Sequence, residues 1–251
     1  MNNTLETIYN LRTIHGNFSQ RDISDEGVKT ILDSCVQAAS ASARQAYSII
    51  VINDRKVIKE KFAYNGSKAL LFCVDYNRII NSAKYLDKEY KSDGILSFIT
   101  GSTDTILAAQ TAAITAKSMG IDSMFTNSIH RCDIDKIYDA FQLPKMYCFP
   151  LIALILGYTE VNPAYHKGRL NGKGVIHYDT YHELMKEDLC EINDDYNNTQ
   201  KHIGMIDNWK DKGYANYLDW FYTAWCGDEE LDKQREVLSI LRKVGFINYD
   251  L

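Results

Sequence analysis

The chain has 251 residues, of which 45% are hydrophobic and 24% charged, a composition typical of a globular protein with a full hydrophobic core. Its formal net charge of -5 argues against a nucleic-acid-binding surface, because phosphate contacts along a nucleic acid require a basic patch. No apolar run reaches membrane-spanning length and the first eleven residues do not resemble a signal peptide, so we expect a cytoplasmic protein without membrane contact.

The cysteines and histidines lack the spacing of a metal site or a redox-active dithiol. The six cysteines are widely separated, and no Cys-x-x-Cys pair occurs among them. The six histidines show no metal-ligand spacing beside a carboxylate. We therefore predict no metal, and we expect most cysteines to be small core residues with free thiols, as in a reducing compartment.

The first fifty residues predict two helices followed by a strand. The first helix is expected over Leu5 to Leu11. Ser24 can cap a second helix, in which apolar residues recur at helical spacing from Val28 to Ala39. A Ser-rich connection from Ser40 to Gln45 then leads to a strand. Such a connection is usually only a turn, although its small residues would allow backbone amides to approach a ligand closely.

The middle of the chain predicts two strands and a long apolar helix. The strands are expected over Tyr47 to Ile52 and over Ala69 to Val74, where the second stops at Asp75. The helix from Thr103 to Met119 is rich in Ala and Thr, and Gly120 is a natural C-cap. Its small residues permit close packing, so it is expected to be central, either as an ordinary core helix or across a subunit interface.

After a short helix from Asp133 to Phe141, the run from Pro150 to Leu156 predicts a buried strand, which gives an α+β layered domain. The polar loop beyond this strand carries Lys167 and Arg169. Two cations on one side of an extended segment can grip a single phosphate. A Lys-x-Arg pair on a loop is nevertheless most often a solvated basic spot, because charged side chains usually face water.

The C-terminal part differs in composition from the rest of the chain. Lys186 to Asn208 is polar, Trp209 to Trp225 is dense in aromatic residues, and Glu229 to Val244 predicts a closing amphipathic helix. The aromatic residues could cover a flat ligand or could simply pack the extension in place. We predict a first domain over residues 1–185 and a C-terminal extension, over residues 186–251, that packs on it.

Four sequence blocks resemble, in the same order, those of the flavin-dependent nitroreductases. The segment Arg12-Thr13-Ile14-His15 resembles the family's Arg-Ser-Ile-Arg opening, and Ala38 to Ile50 resembles its Ser-rich turn before a strand. Phe72 to Arg78, with the sequence FCVDYNR, is similar to a signature of the larger NADPH-preferring branch. The segment from Gly157 to Leu170 resembles the family's Gly-Tyr-Pro and Lys-Pro-Arg-Leu-Pro ending. The resemblance covers about the first 185 residues.

The resemblance implies a three-layer α/β/α fold with a mostly antiparallel sheet, a central Ala-rich helix and an intertwined homodimer. It also implies non-covalent FMN, with NADPH or NADH as the electron donor. Nitroaromatics, quinones or flavins would then be reduced by ping-pong hydride transfer through the bound FMN. The flavin carries this chemistry, so no catalytic side chain is expected.

The resemblance assigns cofactor-binding roles to ten residues. Arg12, Lys167 and Arg169 would neutralise the FMN phosphate, with Thr13 and His15 as further donors. The other five would contact the flavin: Ser40 and Ser42 from the facing subunit, Asn65 at the pyrimidine side, and Asn127 and Ser128 in the loop from Phe125 to Ser128, where the family brings backbone amides to the ring.

Departures from the family pattern leave two alternatives open. Asn127 and Ser128 replace two glycines, His15 replaces an arginine, and Gly168 and Asn171 replace prolines that would stiffen the loop. These changes predict weaker flavin binding. The chain could instead be a flavin store or redox sensor without turnover, or a degenerate family member that serves only as a structural dimer.

Overall fold

The computed structural model describes residues 2–91, 94–131, 133–227 and 231–248. It contains two compact units, which are Met1–Asn162 together with Glu230–Leu251, and Pro163–Glu229. We refer to them as the main unit and the small unit. The compact units have other bounds than the predicted domains, which meet at residue 185. That domain boundary stays a prediction. Cys132, one of the six cysteines, and Glu229, the predicted first residue of the closing helix, lie outside the described residues.

A four-stranded sheet in the order β1-β2-β4-β3 forms the centre of the main unit, and all its neighbouring strands are antiparallel. The strands are β1 (Tyr47–Ile52), β2 (Lys68–Asp75), β3 (Asp122–Thr126) and β4 (Cys148–Gly157). Three of them confirm predicted strands. β3 was missed, and the assignment of Phe125 and Thr126 to a loop was wrong, because five residues with polar ends give too short an apolar signal.

Helices surround this sheet and also build the small unit. They are α1 (Asn3–Tyr9), α2 (Asp25–Cys35), α3 (Arg55–Phe62), α4 (Asn77–Tyr85), α5 (Ile95–Ser118), α6 (Ile134–Ala140), α7 (Lys186–Asn197), α8 (Tyr217–Trp220) and α9 (Leu231–Lys243). The predicted cap of α2 is confirmed, since Ser24 Oγ accepts a hydrogen bond from the Gly27 backbone at 3.1 Å. α5 begins eight residues before the predicted start at Thr103, so Gly101 lies inside a helix rather than before one.

The sheet lies between two apolar layers, as the predicted three-layer fold requires. Leu70, Leu154 and Leu156 face α2 and the alanines of α5. Residues of the opposite face, such as Leu71 and Ile155, pack with residues of α3, α6 and α9. Side chains alternate between the two faces of a strand, so a strand covered on both faces is apolar along its buried length, as β2 is from residue 69 to residue 74.

The small unit has its own aromatic core. Trp209, Tyr217 and Trp220 are buried together, and the Tyr196 ring stacks on Tyr217 with centroids 5.1 Å apart. The aromatic density of the sequence therefore builds packing inside this unit. Tyr222 and Trp225 remain exposed. No helix in the described part of either unit is both long and apolar enough to span a membrane.

Candidate functional site

Arg12 belongs to a charge cluster at one edge of the sheet. Its Nε and Nη2 atoms donate to the two carboxylate oxygens of Asp122, at 3.0 and 2.7 Å, where β3 begins. Lys117, in the last turn of α5, donates to the same carboxylate at 2.9 Å. Asn162 accepts a further hydrogen bond from Arg12 at 3.1 Å. Two cations against one nearly buried carboxylate give this cluster of three side chains a net positive charge.

The segment that follows Arg12 is fixed to the same edge by backbone contacts. Thr13 pairs with Ser123, and the Ile14 amide donates to the Ser123 carbonyl at 3.2 Å. Phe18 pairs with Thr159 beyond the end of β4. Gly157 permits this approach, because a Cβ atom there would lie 2.7 Å from the Phe18 ring. The Gly-Tyr block and the Arg-Thr-Ile-His block of the sequence therefore meet at one sheet edge.

His15 and Asn65 lie on neighbouring loops. A Cβ atom on Gly16 would lie 3.9 Å from the Tyr64 ring and 4.0 Å from the Asn65 backbone nitrogen. Arg55 ties these loops together, since its Nη1 donates to the carbonyls of Ser19 and Gly66, each at 3.3 Å. His15 and Asn65 are both exposed. The structure therefore brings these two predicted contacts to the same region of the surface.

Asn127 and Ser128 follow β3, near the end of α3. Ser128 Oγ donates to the carbonyl of Phe62 at 3.2 Å, three residues before Asn65 in the chain. Asn127 is exposed, whereas Ser128 is half-buried. The side chain that replaces the second expected glycine is thus turned toward α3 by a hydrogen bond.

Ser40 and Ser42 lie at the other end of the sheet. The loop from Ser40 to Ala46 precedes β1, and the Asp75 amide at the end of β2 donates to the Ala46 carbonyl at 3.1 Å. Asp75 in turn pairs with Cys148, the first residue of β4, whereas the Arg12 cluster lies at the last residue of β4. Ten residues of extended strand separate the two ends of β4 by about 30 Å. The Ser40 to Ala46 loop and the Arg12 cluster therefore lie toward opposite ends of this strand.

The loop from Ser40 to Ala46 has an unusual backbone. Ser42, Ala43 and Gln45 have φ angles of +52°, +53° and +48° although none is glycine. Each such residue costs on the order of 1 kcal/mol, so the loop keeps this shape only if its surroundings hold it. Ser42 is exposed and Ser40 is half-buried.

Lys167 and Arg169 lie in the small unit, where backbone carbonyls orient them. Lys167 Nζ donates to the carbonyls of Gly204 and Met205, at 2.5 and 3.3 Å. An ammonium group has three N–H donors, so within the described part of the chain these two hydrogen bonds leave one donor for a ligand. Arg169 Nη1 donates to the carbonyls of Lys167 and Gly168, at 3.2 and 2.8 Å, and the side chain remains exposed.

Gly168 explains a departure from the family pattern. Its amide donates to the His202 carbonyl at 3.1 Å, and a Cβ atom at this position would lie 2.0 Å from the Lys201 carbonyl oxygen. A proline has no N–H to donate and carries a Cβ, so it fits neither contact. Contacts with residues 201–205 hold this segment where the family has a proline, and the weaker flavin binding expected from the missing proline stays a prediction.

Known proteins that are similar to this chain include the three that follow, whereas no protein-family model matches it. An NADPH-dependent oxidoreductase of Staphylococcus saprophyticus is 29% identical over 262 residues, which cover 96% of this chain and 98% of that protein. The structure of NfrA2 from B. megaterium covers 100% of both chains, with a TM-score of 0.81 and 25% identity. The FMN reductase (NADPH) of Bacillus subtilis strain 168 is 31% identical over 191 residues, covering 72% of this chain and 75% of that enzyme.

This chain belongs to the flavin-dependent nitroreductase family. Its place in the NADPH-preferring branch of nitroreductases and flavin reductases confirms the resemblance carried by the four sequence blocks. The same matches confirm the α+β nitroreductase-like fold.

The residues that hold the predicted contacts of this nitroreductase in place were not predicted from the sequence. Asp122 and Lys117 position Arg12, while Asp104 and Arg78 contact the loop that carries Ser40 and Ser42. Asp122 carried no sequence signal of this role, because the strand that it begins is too short and too polar at its ends to be recognised. The sequence contains no signal for which cation pairs with it.

The electrostatics of the Arg12 cluster follow from its geometry. Burial alone would raise the pKa of Asp122, but hydrogen bonds from Arg12 and Lys117 outweigh it and hold that pKa below its ordinary value. The hydrogen bond to Asp122 in turn raises the pKa of Arg12. The carboxylate and the guanidinium are therefore both charged at neutral pH.

The change Asp122→Asn is expected to destabilise the protein by about 3 kcal/mol at pH 7, because it leaves two cations without their carboxylate. Because the pKa of Asp122 is lower in the folded protein than in the unfolded chain, its carboxylate stabilises the folded state fully at pH values above the unfolded pKa of about 3.9. This stabilisation is lost as the pH falls through the pKa of the folded state. The loss of stability between pH 5 and pH 3 should therefore be shallower in the variant. Urea unfolding at pH 7 and between pH 5 and pH 3 measures both effects, with Asp139→Asn, which removes an exposed ion pair, as control. Equal stability of Asp122→Asn and wild type at pH 7 would contradict the assignment.

Proposed function

We propose that this protein reduces flavins, quinones or nitroaromatics by ping-pong hydride transfer from NADPH through bound FMN. Membership of the family makes the chain an NAD(P)H-dependent oxidoreductase with FMN and NAD(P)H as cofactors. The observation that carries the proposal is the cationic sheet edge, where Asp122 and Ser123 hold Arg12, Thr13 and the segment of His15 together. When bound, FMN supplies the hydride transfer, which no side chain can perform.

The donors present fit the phosphate of FMN. Arg12 directs Nε and Nη2 at Asp122 and Asn162, so within the described residues its Nη1 remains for a ligand. Lys167 keeps one N–H, and the guanidinium of Arg169 is exposed. We propose that these three cations bind the phosphate, with Thr13 and His15 donating further hydrogen bonds.

We propose that the isoalloxazine ring is bound by the remaining predicted residues. Asn65 would hydrogen-bond its pyrimidine side, and the backbone at Asn127 and Ser128 would lie along the ring. The exposure of Asn65 and Asn127 supports this role, as does the hydrogen bond that turns the Ser128 side chain toward Phe62. Ser40 and Ser42 would contact the same ring from the facing subunit.

We propose a homodimer in which each flavin lies between two chains. The placement of the Ser40 to Ala46 loop and of the Arg12 cluster toward opposite ends of β4 supports this assembly. The central helix α5 offers an apolar surface for this assembly, because four of its large side chains are exposed by 41% or more: Leu96, Ile99, Ile106 and Leu107. An apolar stripe at helical spacing on a central helix is typical of a subunit interface.

The double change Ile99→Glu and Ile106→Glu is expected to convert the dimer to a monomer and to abolish FMN retention. Two carboxylates per chain would have to be buried without partners in the interface. Sedimentation analysis and the absorbance of the purified protein measure the two effects. Leu231→Glu is the control, because Leu231 is equally exposed, at 56%, but lies on α9. A variant that remains a flavin-loaded dimer would contradict the proposed interface.

The experiment that tests the proposed function is an absorbance spectrum before and after anaerobic addition of NADPH. Flavin bands that bleach, and that return when a quinone is added, are the expected result. Bands that NADPH does not bleach would support the alternative of a flavin store or sensor. Colourless protein that does not bind added FMN would overturn the proposal and favour a structural dimer.

We also propose that the enzyme works in the cytoplasm. Cys35, Cys73 and Cys148 are buried free thiols, and Cys190 and Cys226 are exposed free thiols. Exposed thiols persist in a reducing compartment, where glutathione and thioredoxin keep them from pairing.

A further inference from the structure

The loop from Ser40 to Ala46 is held from both sides by charged side chains that no substrate role explains. On the buried side, the Asp104 carboxylate accepts hydrogen bonds from the amides of Ala41 and Ala46, at 2.8 and 3.3 Å, through different oxygens. On the outer side, Arg78 Nη2 donates to the carbonyls of Arg44 and Gln45, both at 2.6 Å. The loop is thus fixed by an acid on its amides and a base on its carbonyls.

Helix α5 is shaped to bring Asp104 to this loop. Asp104 is 1% exposed, and Gly101, one turn earlier, allows the helix to approach the sheet. A Cβ atom on Gly101 would lie 2.7 Å from Val74 and 3.3 Å from the Ala46 carbonyl oxygen. A buried carboxylate is costly unless its oxygens are hydrogen-bonded, and here the loop amides supply those bonds. The acid and the loop therefore stabilise each other.

We propose that Asp104 and Arg78 are positioning residues for the flavin site of the partner subunit. They hold Ser42, Ala43 and Gln45 at positive φ, a backbone shape that would otherwise relax, and so present Ser40 and Ser42 in a fixed geometry. This inference rests on the proposed function, because it requires a flavin shared between two chains. Asp104 lies in one chain and acts on the cofactor of the other.

The first test is the change Asp104→Asn, which keeps the shape of the side chain but turns an NH₂ group toward one of the two loop amides. We expect FMN to bind at least tenfold more weakly to the purified dimer. Thr105→Val is the matched control, since Thr105 is the next residue of α5 and is equally buried. Among the described residues, its hydroxyl donates only to the carbonyl of Gly101 in its own helix. The control variant should bind FMN within twofold of wild type. Unchanged affinity of Asp104→Asn would overturn the proposal.

The decisive test uses mixed dimers that pair an Asp104→Asn chain with a Lys167→Ala/Arg169→Ala chain. If Asp104 acts on the partner's flavin, one site receives both defects and the other receives none. The FMN titration should then show one wild-type site per dimer. If Asp104 acts on its own chain, both sites are impaired and no wild-type site appears, which would overturn the proposal.

Arg78→Ala provides a second variant in case Asp104→Asn does not fold. Arg78 is exposed, so its removal creates no cavity, and the same mixed dimer should again show one wild-type site. The absence of that site with Arg78→Ala would likewise count against the proposal. Wild-type protein that binds no FMN would show instead that the proposed function itself had failed.

Discussion

Replacing both Lys167 and Arg169 by Ala is expected to raise the Kd for FMN at least a hundredfold. Each charge-assisted hydrogen bond to a phosphate contributes roughly 1.5–3 kcal/mol, and every 1.4 kcal/mol is about a factor of ten in Kd. Equilibrium dialysis of FMN against the purified dimer measures the change. The loss should shrink at high salt, because the interaction is between charges near solvent.

Lys173→Ala is the control for this double variant. Lys173 lies in the same unit, but Asp188 and Glu191 already neutralise it, at 2.7 and 3.0 Å. It should retain FMN as wild type does. Because Lys167 also donates to the carbonyls of Gly204 and Met205, the thermal unfolding of both variants has to be compared without FMN. Wild-type FMN affinity in the double variant would rule out the phosphate assignment.

Restoring the family's proline with Gly168→Pro is expected to destabilise the small unit by about 2–4 kcal/mol, the opposite of what proline usually does in a loop. The estimate adds a lost hydrogen bond of about 1 kcal/mol to the cost of overpacking, which is roughly 1–3 kcal/mol. The lost bond is the one from the Gly168 amide to His202, and the overpacking arises against the Lys201 carbonyl. Hydrogen exchange across residues 163–227 measures the loss of protection, and FMN affinity should fall with it.

Gly172→Ala is the matched control for this proline, because a Cβ atom on Gly172 would meet nothing within 4 Å. Protection from exchange should be unchanged in that variant. If Gly168→Pro were instead more protected than wild type, the segment from Lys167 to Arg169 would not be held by residues 201–205 as the structure shows.

The family and most of the fold could be predicted from local sequence features. Ser24 caps a helix because its hydroxyl accepts from a backbone amide two or three residues ahead, and β2 and β4 are apolar because both of their faces are covered. Such features depend on neighbours in the chain. β3 was not predicted, because five residues with polar ends show little periodicity. The predicted start of α5 was wrong because a glycine such as Gly101 is typical of a helix boundary.

Sequence order by itself determined the family of this protein and the identity of its candidate ligand-binding cations, since Arg12, Lys167 and Arg169 stand in recognisable blocks. Only the tertiary structure decided how those cations are held. It paired Arg12 with Asp122 across 110 positions of the chain, and it placed the Ser40 to Ala46 loop on Asp104. It also put that loop and Arg12 at opposite ends of β4. Contacts between distant residues depend on strand register and on how closely a helix approaches the sheet, which local sequence patterns do not encode.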